Sequence, residues 1–324
     1  MHVPSQDPLG YAIPLPLRVR YYPMGFPLII ETNSEAVLAV ADIFCSHWKT
    51  ARQPARPATL RVVVEDFDAS VPPVPGMPRG QGHLVSIVHG TENFATCDVA
   101  ASFGFARLTQ DVIRDAAYLR YHFLEPMIWL LIDAAHLAPL HSSCVALNGQ
   151  AVILCGDSGA GKTSLAYACA RRGWSYLSDD ATHVVRERRA ITVAGRPFRI
   201  RFRESARELF PELNAFPRER RPNGKFDIEV ETKDLHLPIA LEGDASHVVF
   251  LNRDAGAGSA RVDPYPKEQA SRRLRQLICY GDERIRSEQS RSLDRLLTLP
   301  TLELKWRDLP DAEHSLRALV EASG

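Results

Sequence analysis

The clearest pattern of apolar and polar positions lies near the middle of the chain. Two apolar runs, 143–147 and 150–155, are separated by Asn148 and Gly149. Asn-Gly between two such runs is a strong signal of a tight turn, because both residues tolerate a positive φ angle. The pattern therefore predicts a hairpin of two antiparallel strands.

The segment after this hairpin predicts a helix and then another strand. Residues 164–172 have apolar positions at helical spacing, and Gly173 is the residue type that commonly ends a helix. The apolar run 174–178 predicts a strand that leads directly into Asp179 and Asp180.

Weaker patterns predict the remaining elements. Strands are predicted at 17–22, 27–30, 59–64, 84–89, 182–185, 191–193, 226–231 and 248–251. Helices are predicted at 36–48, 112–136, 203–210, 267–279, 290–297 and 311–321. Pro126 is expected to kink or split the second of these helices, and the stretch 71–82, rich in proline and glycine, predicts a loop.

The character of the sequence changes near residue 137, which predicts two domains. Residues 1–136 predict a smaller α+β module without a recognisable chemical motif, which would serve as a lid or a docking surface. Residues 137–324 predict an α/β domain that carries the candidate chemistry. A chain of 324 residues is long enough to form both.

Composition excludes some classes of function. The chain has 39 Lys+Arg and 39 Asp+Glu, and this zero net charge argues against a general binder of nucleic acid or of anionic membranes. No signal peptide is recognised, and the longest apolar stretch, 127–140, is too short to cross a bilayer. The six cysteines form no CxxC pair, which predicts buried thiols in a reducing compartment. We therefore expect a cytoplasmic protein.

The segment between the predicted hairpin and the predicted helix matches G-x-x-x-x-G-K-[ST], the pattern of loops that bind nucleotide phosphates. A strand before it and a helix after it are the context that this motif requires. With the serine that follows, the candidate nucleotide-binding residues are Gly156, Asp157, Ser158, Gly159, Ala160, Gly161, Lys162, Thr163 and Ser164.

The residue types in this loop are those that phosphate and Mg²⁺ binding require. Glycines let successive backbone N–H groups turn toward phosphate oxygens, and the start of the helix adds the positive end of its dipole. Lys162 is predicted to reach the β- and γ-phosphates of ATP, and the Thr163 hydroxyl to bind Mg²⁺. The chain lacks the guanine-reading motif N-K-x-D and the transporter signature L-S-G-G-Q.

Acidic and histidine side chains near this loop are the candidate catalytic groups. Asp179 lies 17 residues after Lys162 and is followed by Asp180. Two neighbouring carboxylates suit two tasks, because one can hold Mg²⁺ while the other accepts the proton of an attacking hydroxyl. His141, 21 residues before Lys162, is placed where its imidazole could approach the transferred phosphoryl group. The alternatives are a solvated acidic turn and a structural histidine.

These segments resemble the catalytic core of bacterial HPr kinase/phosphorylase over residues 138–186. The resemblance rests on four features in the same order and spacing: His141, the G-D-S-G-x-G-K-[ST] loop, the helix end at Arg172-Gly173, and the pair Asp179-Asp180. It implies an α/β fold with a P-loop kinase core of the HPr kinase/phosphoenolpyruvate carboxykinase type, preceded by the smaller α+β N-terminal module.

The resemblance also implies roles for individual residues. Asp179 would be the general base that activates a serine hydroxyl, and Lys162 would clamp the phosphates. Thr163 and Asp180, with Asp179 beside them, would form the Mg²⁺ site, and His141 would lie close to the reaction centre.

The chain departs from that family at several positions. Ser164 stands where those enzymes usually have Glu, and the later segment E-x-R-G-x-G, tied to metal binding and to the phosphorylase reaction, is absent. Residues 1–135 do not resemble the family's N-terminal domain. The chain looks more like divergent HPr-kinase-related proteins, some of which phosphorylate a serine of a ribosomal peptide precursor. We therefore expect an acceptor other than HPr and no reverse phosphorolysis.

Residues that would contact the acceptor are less well defined. Three arginines alternate along a predicted strand and so share one face, which would hold an acidic group or simply be exposed: Arg199, Arg201 and Arg203. The turn Asn223-Gly224-Lys225 suits either a phosphate-sensing loop or a surface turn. Glu204 and Glu229 are weak candidates for a second metal ligand.

These observations predict an ATP- and Mg²⁺-dependent kinase whose acceptor is a hydroxyl, most simply a serine, of a protein, a peptide or a small molecule. Neither nucleic acid nor a membrane is an expected partner, and a homo-oligomer is compatible with the sequence. A non-catalytic nucleotide-binding switch or scaffold of the same fold is the alternative. A decarboxylating carboxykinase-like enzyme is a third hypothesis, for which the chain is short and further metal-binding residues are missing.

Overall fold

A computed structural model describes the fold over residues 13–48, 52, 55–70, 74–186, 189–221, 224, 226–254, 256, 258–277 and 281–322. The chain divides into two compact units. The first comprises residues 1–136 with 279–287, and the second comprises 137–278 with 288–324. Both units combine helices with mixed sheets, so the protein has a mixed α/β structure.

The first unit, within the described residues, contains a seven-stranded sheet in the order β1-β2-β3-β7-β6-β5-β4. Its strands are β1 (Leu17–Tyr21), β2 (Leu28–Thr32), β3 (Ala58–Val64), β4 (Arg79–Gln81), β5 (Leu84–His89), β6 (Asn93–Asp98) and β7 (Phe103–Leu108). Its helices are α1 (Glu35–Cys45), α2 (Gln110–Arg114), α3 (Ala116–Leu119) and α4 (Glu125–His136). The sheet is mixed, because β2 and β7 run parallel to β3 and the other pairs are antiparallel.

Helix α4 supplies much of the core of this unit. Its Met127 and Leu131 are fully buried, and the sheet leaves room for them at Gly104. A Cβ atom at Gly104 would lie 3.0 Å from a methyl carbon of Leu60 and 3.2 Å from one of Leu131. The close approach of α4 to the sheet therefore favours glycine at this position, because a larger residue would push these methyl groups aside.

The long helix predicted at 112–136 is divided into several parts. Helices α2 and α3 and a π-helical turn, Arg120–Leu124, precede α4. Pro126 follows the π-helical turn directly, so the hydrogen-bond pattern of the helix changes immediately before the residue that has no N–H to donate. The hairpin of β6 and β7 was not predicted, because the buried side of its strands carries mostly small or polar residues, such as Asn93, Ala95 and Gly104, so no strong apolar alternation marks it.

The second unit, within the described residues, contains a nine-stranded and a three-stranded sheet. Its strands are β8 (Leu137–Leu140), β9 (Ser142–Leu147), β10 (Gln150–Cys155), β11 (Ser175–Ser178), β12 (Thr182–Val185), β13 (Thr192–Ala194), β14 (Arg199–Phe202), β15 (Glu219–Arg220), β16 (Phe226–Glu231), β17 (Glu242–Arg253), β18 (Arg261–Pro264) and β19 (Thr301–Trp306). Its helices are α5 (Lys162–Ala170), α6 (Ala206–Leu209), α7 (Lys267–Leu274), the 288–296 part of α8 (Glu283–Leu296), and α9 (Leu309–Glu321).

The larger sheet has the order β11-β9-β10-β17-β13-β12-β8, with β19 beside β17 and β18 beside β19. The predicted hairpin is confirmed: β9 and β10 are antiparallel and meet at Asn148 and Gly149, whose φ angles are 52° and 82°. Strand β10 is parallel to β17, which is parallel to β19. The strand that leads into the glycine-rich loop therefore has a partner on each side and is held rigidly.

Helix α5 packs its apolar face against the sheet. Leu165, Ala166 and Cys169 are buried in a cluster that includes Trp306 of β19. As predicted, the helix is followed by a glycine in the left-handed conformation: Gly173 has a φ angle of 89°, and its N–H donates to Ala170 O. The turn returns the chain to β11 and hence to Asp179.

One predicted helix is shorter in the structure, and strand β19 has no predicted counterpart. The helix predicted at 203–210 is reduced to the single turn of α6. Pro211 begins a separate 3₁₀ turn and ends the α-helix, because it cannot continue the hydrogen-bond ladder. Strand β19 was not predicted, although its Leu304 and Trp306 are buried. Its place in the sheet comes from pairing with β17 on one side and β18 on the other.

The described cysteines are free and buried, as predicted: Cys45, Cys97, Cys144, Cys155 and Cys169. Cys279 lies outside the described residues. No helix within the described part of the chain combines the length and the apolar character needed to cross a membrane.

Helix α9 is anchored by a buried carboxylate. Glu313 is 3% exposed, and it accepts hydrogen bonds from Arg172, Trp174 Nε1 and Arg317 at 2.8 to 3.0 Å. Burial pushes the pKa of Glu313 up, but these hydrogen bonds outweigh burial and hold the pKa below its usual value. The carboxylate therefore ties α9 to the end of α5.

We expect Glu313→Ala to lower the free energy of unfolding by about 2–4 kcal/mol, because the indole N–H and two guanidinium groups lose their acceptor. Urea denaturation measures the loss. The matched control is Glu321→Ala on the exposed end of the same helix, which should change stability by less than about 0.5 kcal/mol. Equal losses in the two variants would show that the buried carboxylate does not anchor α9.

Candidate functional site

The 156–163 loop joins β10 to α5 and has the conformation that its glycines permit. Gly159 and Gly161 have φ angles of 94° and 88°, a region that costs other residues strain. A Cβ atom at Gly161 would also lie 2.6 Å from the Trp306 ring. Both backbone strain and packing therefore require glycine immediately before the helix.

Lys162 folds back beneath this loop. Its side chain is buried, with 7% of the residue exposed, and its Nζ donates to Gly156 O at 2.8 Å and to Asp157 O at 3.4 Å. Desolvation lowers the pKa of the ammonium, while the charge of Asp180 opposes that shift. The loop thus holds a cation directly beneath its own backbone.

His141 lies between Lys162 and Asp180. Its Nε2 is 3.5 Å from Lys162 Nζ, and its Nδ1 is 2.9 Å from Asp180 Oδ1. These contacts fit an imidazole that donates from Nδ1 to the carboxylate and accepts at Nε2 from the ammonium. The structure therefore connects the loop lysine to the acidic pair through a single ring.

Asp179 and Asp180 have opposite environments. Asp179 is half-buried, and desolvation raises its pKa despite a 2.9 Å hydrogen bond from the backbone N–H of Arg201. Asp180 is exposed, and the hydrogen bond from His141 is the main reason that its pKa is lowered. Neighbouring carboxyl groups whose pKa values are pushed apart are suited to different chemical tasks.

The main chain of Asp179 is also fixed. The Ser143 hydroxyl of β9 donates to Asp179 O. Two strands therefore position this residue, one through its carbonyl and the other, β14, through its carboxylate.

Two arginines contact the outer side chains of the loop. Arg273 of α7 donates to Asp157 Oδ1 at 2.6 Å, and Arg203, just after β14, donates to Ser158 Oγ at 2.6 Å. Sequence reasoning missed Arg273, because 116 residues separate it from its partner and no motif surrounds it. Since the Asp157 carboxylate is ion-paired and carries negative charge, its backbone rather than its side chain is suited to meet an anion.

Thr163 and Ser164 lie in the first turn of α5, and both are half-buried. Hydroxyl and carboxylate oxygens are the ligands that Mg²⁺ prefers, and Mg²⁺ usually takes only one or two of them from the protein. The described residues contain no group of three or more His, Cys, Asp or Glu that would form a complete metal cage. The donor chemistry of Thr163 and Asp180 fits a Mg²⁺ ion that shares its remaining ligands with phosphate and water.

The other candidate residues are engaged elsewhere. Arg199 and Arg201 both form ion pairs with Glu229, and Glu204 pairs with Arg207. The weak metal-ligand candidates, Glu229 and Glu204, are therefore held by arginines. Residues 223 and 225 of the proposed phosphate-sensing turn lie outside the described residues.

The similarity of the chain to known proteins is a low structural one. No family model matches the chain, and no curated protein matches it. A solved structure, the HPr(Ser) kinase/phosphatase from Coxiella burnetii, is similar to it with a TM-score of 0.30 and 10% sequence identity. The similarity covers 57% of this chain and 89% of that one.

Two glycine variants measure how much the close packing of Gly161 against Trp306 matters for the free energy of unfolding. Gly149→Ala should cost about 1–2 kcal/mol from its positive φ angle alone, since no atom lies within 4 Å of the added methyl. Gly161→Ala should cost a further 1–3 kcal/mol or so, because the methyl collides with Trp306. Urea denaturation measures both, and equal losses would contradict the packing argument.

Proposed function

We propose that the protein is an ATP- and Mg²⁺-dependent kinase that transfers the γ-phosphoryl group to a hydroxyl. The single observation that carries this proposal is the opposed environment of Asp179 and Asp180 beside the 156–163 loop. A loop and a metal ligand suffice to bind a nucleotide. A second carboxylate with a raised pKa is what general-base catalysis additionally needs.

The loop would bind the triphosphate through its backbone. Its glycines orient N–H groups toward an anion, and α5 begins there with its positive dipole end. Lys162 already donates to two loop carbonyls, and it would exchange these for phosphate oxygens. Since charge-assisted hydrogen bonds are the stronger kind, phosphate would compete well for the ammonium.

Asp179 would act on the acceptor. Its carboxylate takes the proton as the acceptor oxygen forms a bond to the γ-phosphorus, and the bond from that phosphorus to the β–γ bridging oxygen breaks. The products are the phosphorylated acceptor and ADP. The backbone N–H of Arg201 orients the carboxylate, and burial raises its proton affinity toward the value that a base needs.

Mg²⁺ would be held by Thr163 and Asp180, where it would supply positive charge to the phosphates. His141 keeps Asp180 ionised through its hydrogen bond and also approaches Lys162. The acceptor we propose is a serine or another hydroxyl of a protein, a peptide or a small molecule.

We expect Asp179→Asn to retain ATP binding and to reduce phosphoryl transfer about 10²–10⁴-fold, because the amide cannot accept the proton. Transfer of ³²P from ATP to serine-bearing acceptors measures the rate, and calorimetry measures binding. The matched control is Asp234→Asn, which changes an exposed carboxylate in the same unit and should leave both unchanged.

If Asp179→Asn kept full function while Lys162→Ala abolished it, the protein would be a nucleotide-binding switch rather than a kinase. Failure of the wild-type protein to bind ATP would contradict both functions.

The raised pKa of Asp179 predicts a pH profile. The base works only when it is deprotonated, so kcat should fall as the pH drops through a pKa that lies above the usual value of about 3.9 for aspartate. Asp180 has a lowered pKa and stays ionised over that range. A kcat that stays constant down to about pH 4 would show that a raised carboxyl group does not limit transfer.

A further inference from the structure

Arg203 is the arginine of the 199–203 row that reaches the glycine-rich loop. Its Nη2 donates to Ser158 Oγ at 2.6 Å, and its Nη1 would lie 3.9 Å from a Cβ atom added at Gly159. Both Arg203 and Ser158 are exposed. The guanidinium therefore stands over the outer opening of the loop, where solvent or a ligand has access to it.

The guanidinium of Arg203 differs from those of the neighbouring arginines in its hydrogen-bond partner. Arg199 and Arg201 are paired with Glu229, and Arg273 is paired with Asp157. Within the described residues, the side-chain partner of Arg203 is a neutral hydroxyl rather than a carboxylate. No carboxylate in the described part of the chain is thus seen to form an ion pair with its positive charge.

Arg203 also connects the two halves of the candidate site. The backbone N–H of Arg201 holds the Asp179 carboxylate, and two residues later on the same segment Arg203 contacts Ser158. In-line transfer places the γ-phosphoryl group between the base that activates the acceptor and the loop that binds the β-phosphate. The segment 201–203 therefore joins Asp179 to the loop, and Arg203 lies at its loop end.

We propose that Arg203 binds the γ-phosphate of ATP and stabilises its charge during transfer. This inference rests on the proposed kinase function. The guanidinium would exchange the Ser158 hydroxyl for phosphate oxygens, because a charge-assisted and bidentate contact is stronger than one to a neutral group. It follows that Arg203 lets the protein distinguish ATP from ADP, since ADP lacks the phosphate that it contacts.

The test compares ATP with ADP in three variants. Arg203→Gln should weaken binding of a non-hydrolysable ATP analogue about 10- to 100-fold in calorimetry and leave ADP binding unchanged. It should also lower kcat for transfer about 10²–10³-fold. Arg203→Lys keeps the charge without the planar fork and should fall between Arg203→Gln and the wild type. The matched control is Arg199→Gln on the preceding strand β14, which should affect neither nucleotide.

Urea denaturation of the variants checks that they are folded. The inference is overturned if Arg203→Gln binds the ATP analogue as the wild type does, or if it weakens ATP and ADP equally. In either case a wild-type protein that still transfers phosphate would leave the proposed kinase function standing. A wild-type protein that binds ATP without transferring phosphate would contradict the kinase function, and the ATP-to-ADP comparison would still decide whether Arg203 contacts the γ-phosphate.

Discussion

A positive charge that water barely reaches lies at the start of helix α5, and the surrounding structure is arranged to compensate it. Lys162 Nζ donates hydrogen bonds to two carbonyl oxygens of its own loop. The His141 ring lies between this ammonium and the Asp180 carboxylate and contacts both. An isolated buried ammonium would be costly, so these groups must stay in place together. The loop conformation, the position of His141 and the ionised state of Asp180 are therefore linked.

The scaffold gives this arrangement its rigidity. Strand β10 has a partner on each side, and the indole ring of Trp306 leaves no room for a side chain at Gly161. Helix α9 is tied to the end of α5 through Glu313. Because the helix, the sheet and the C-terminal helix contact one another, they hold the loop at the end of β10, and this would lower the entropic cost of the proposed nucleotide binding.

The acidic pair shows how neighbouring residues acquire different properties. Asp179 and Asp180 are the same residue type and are adjacent in the chain. Burial raises the pKa of Asp179, and the hydrogen bond from His141 lowers that of Asp180. The same reasoning separates the arginines of the 199–203 row: Glu229 neutralises the first two, while the third reaches Ser158. In both cases the environment rather than the residue type sets the chemistry.

The sequence alone determined the local structure around the candidate site. Asn148-Gly149 predicted the hairpin, Gly173 the end of α5, and the glycine spacing the loop, because backbone conformation at such residues depends mainly on the residues themselves. Other features depend on partners far away in the chain: the pairing of β7 with β3 and of β19 with β17, and the contacts of Arg273, Arg203 and Glu313. Only tertiary packing brings those partners together. The contrasting burial of Asp179 and Asp180 likewise arises from packing, so no local pattern could reveal it.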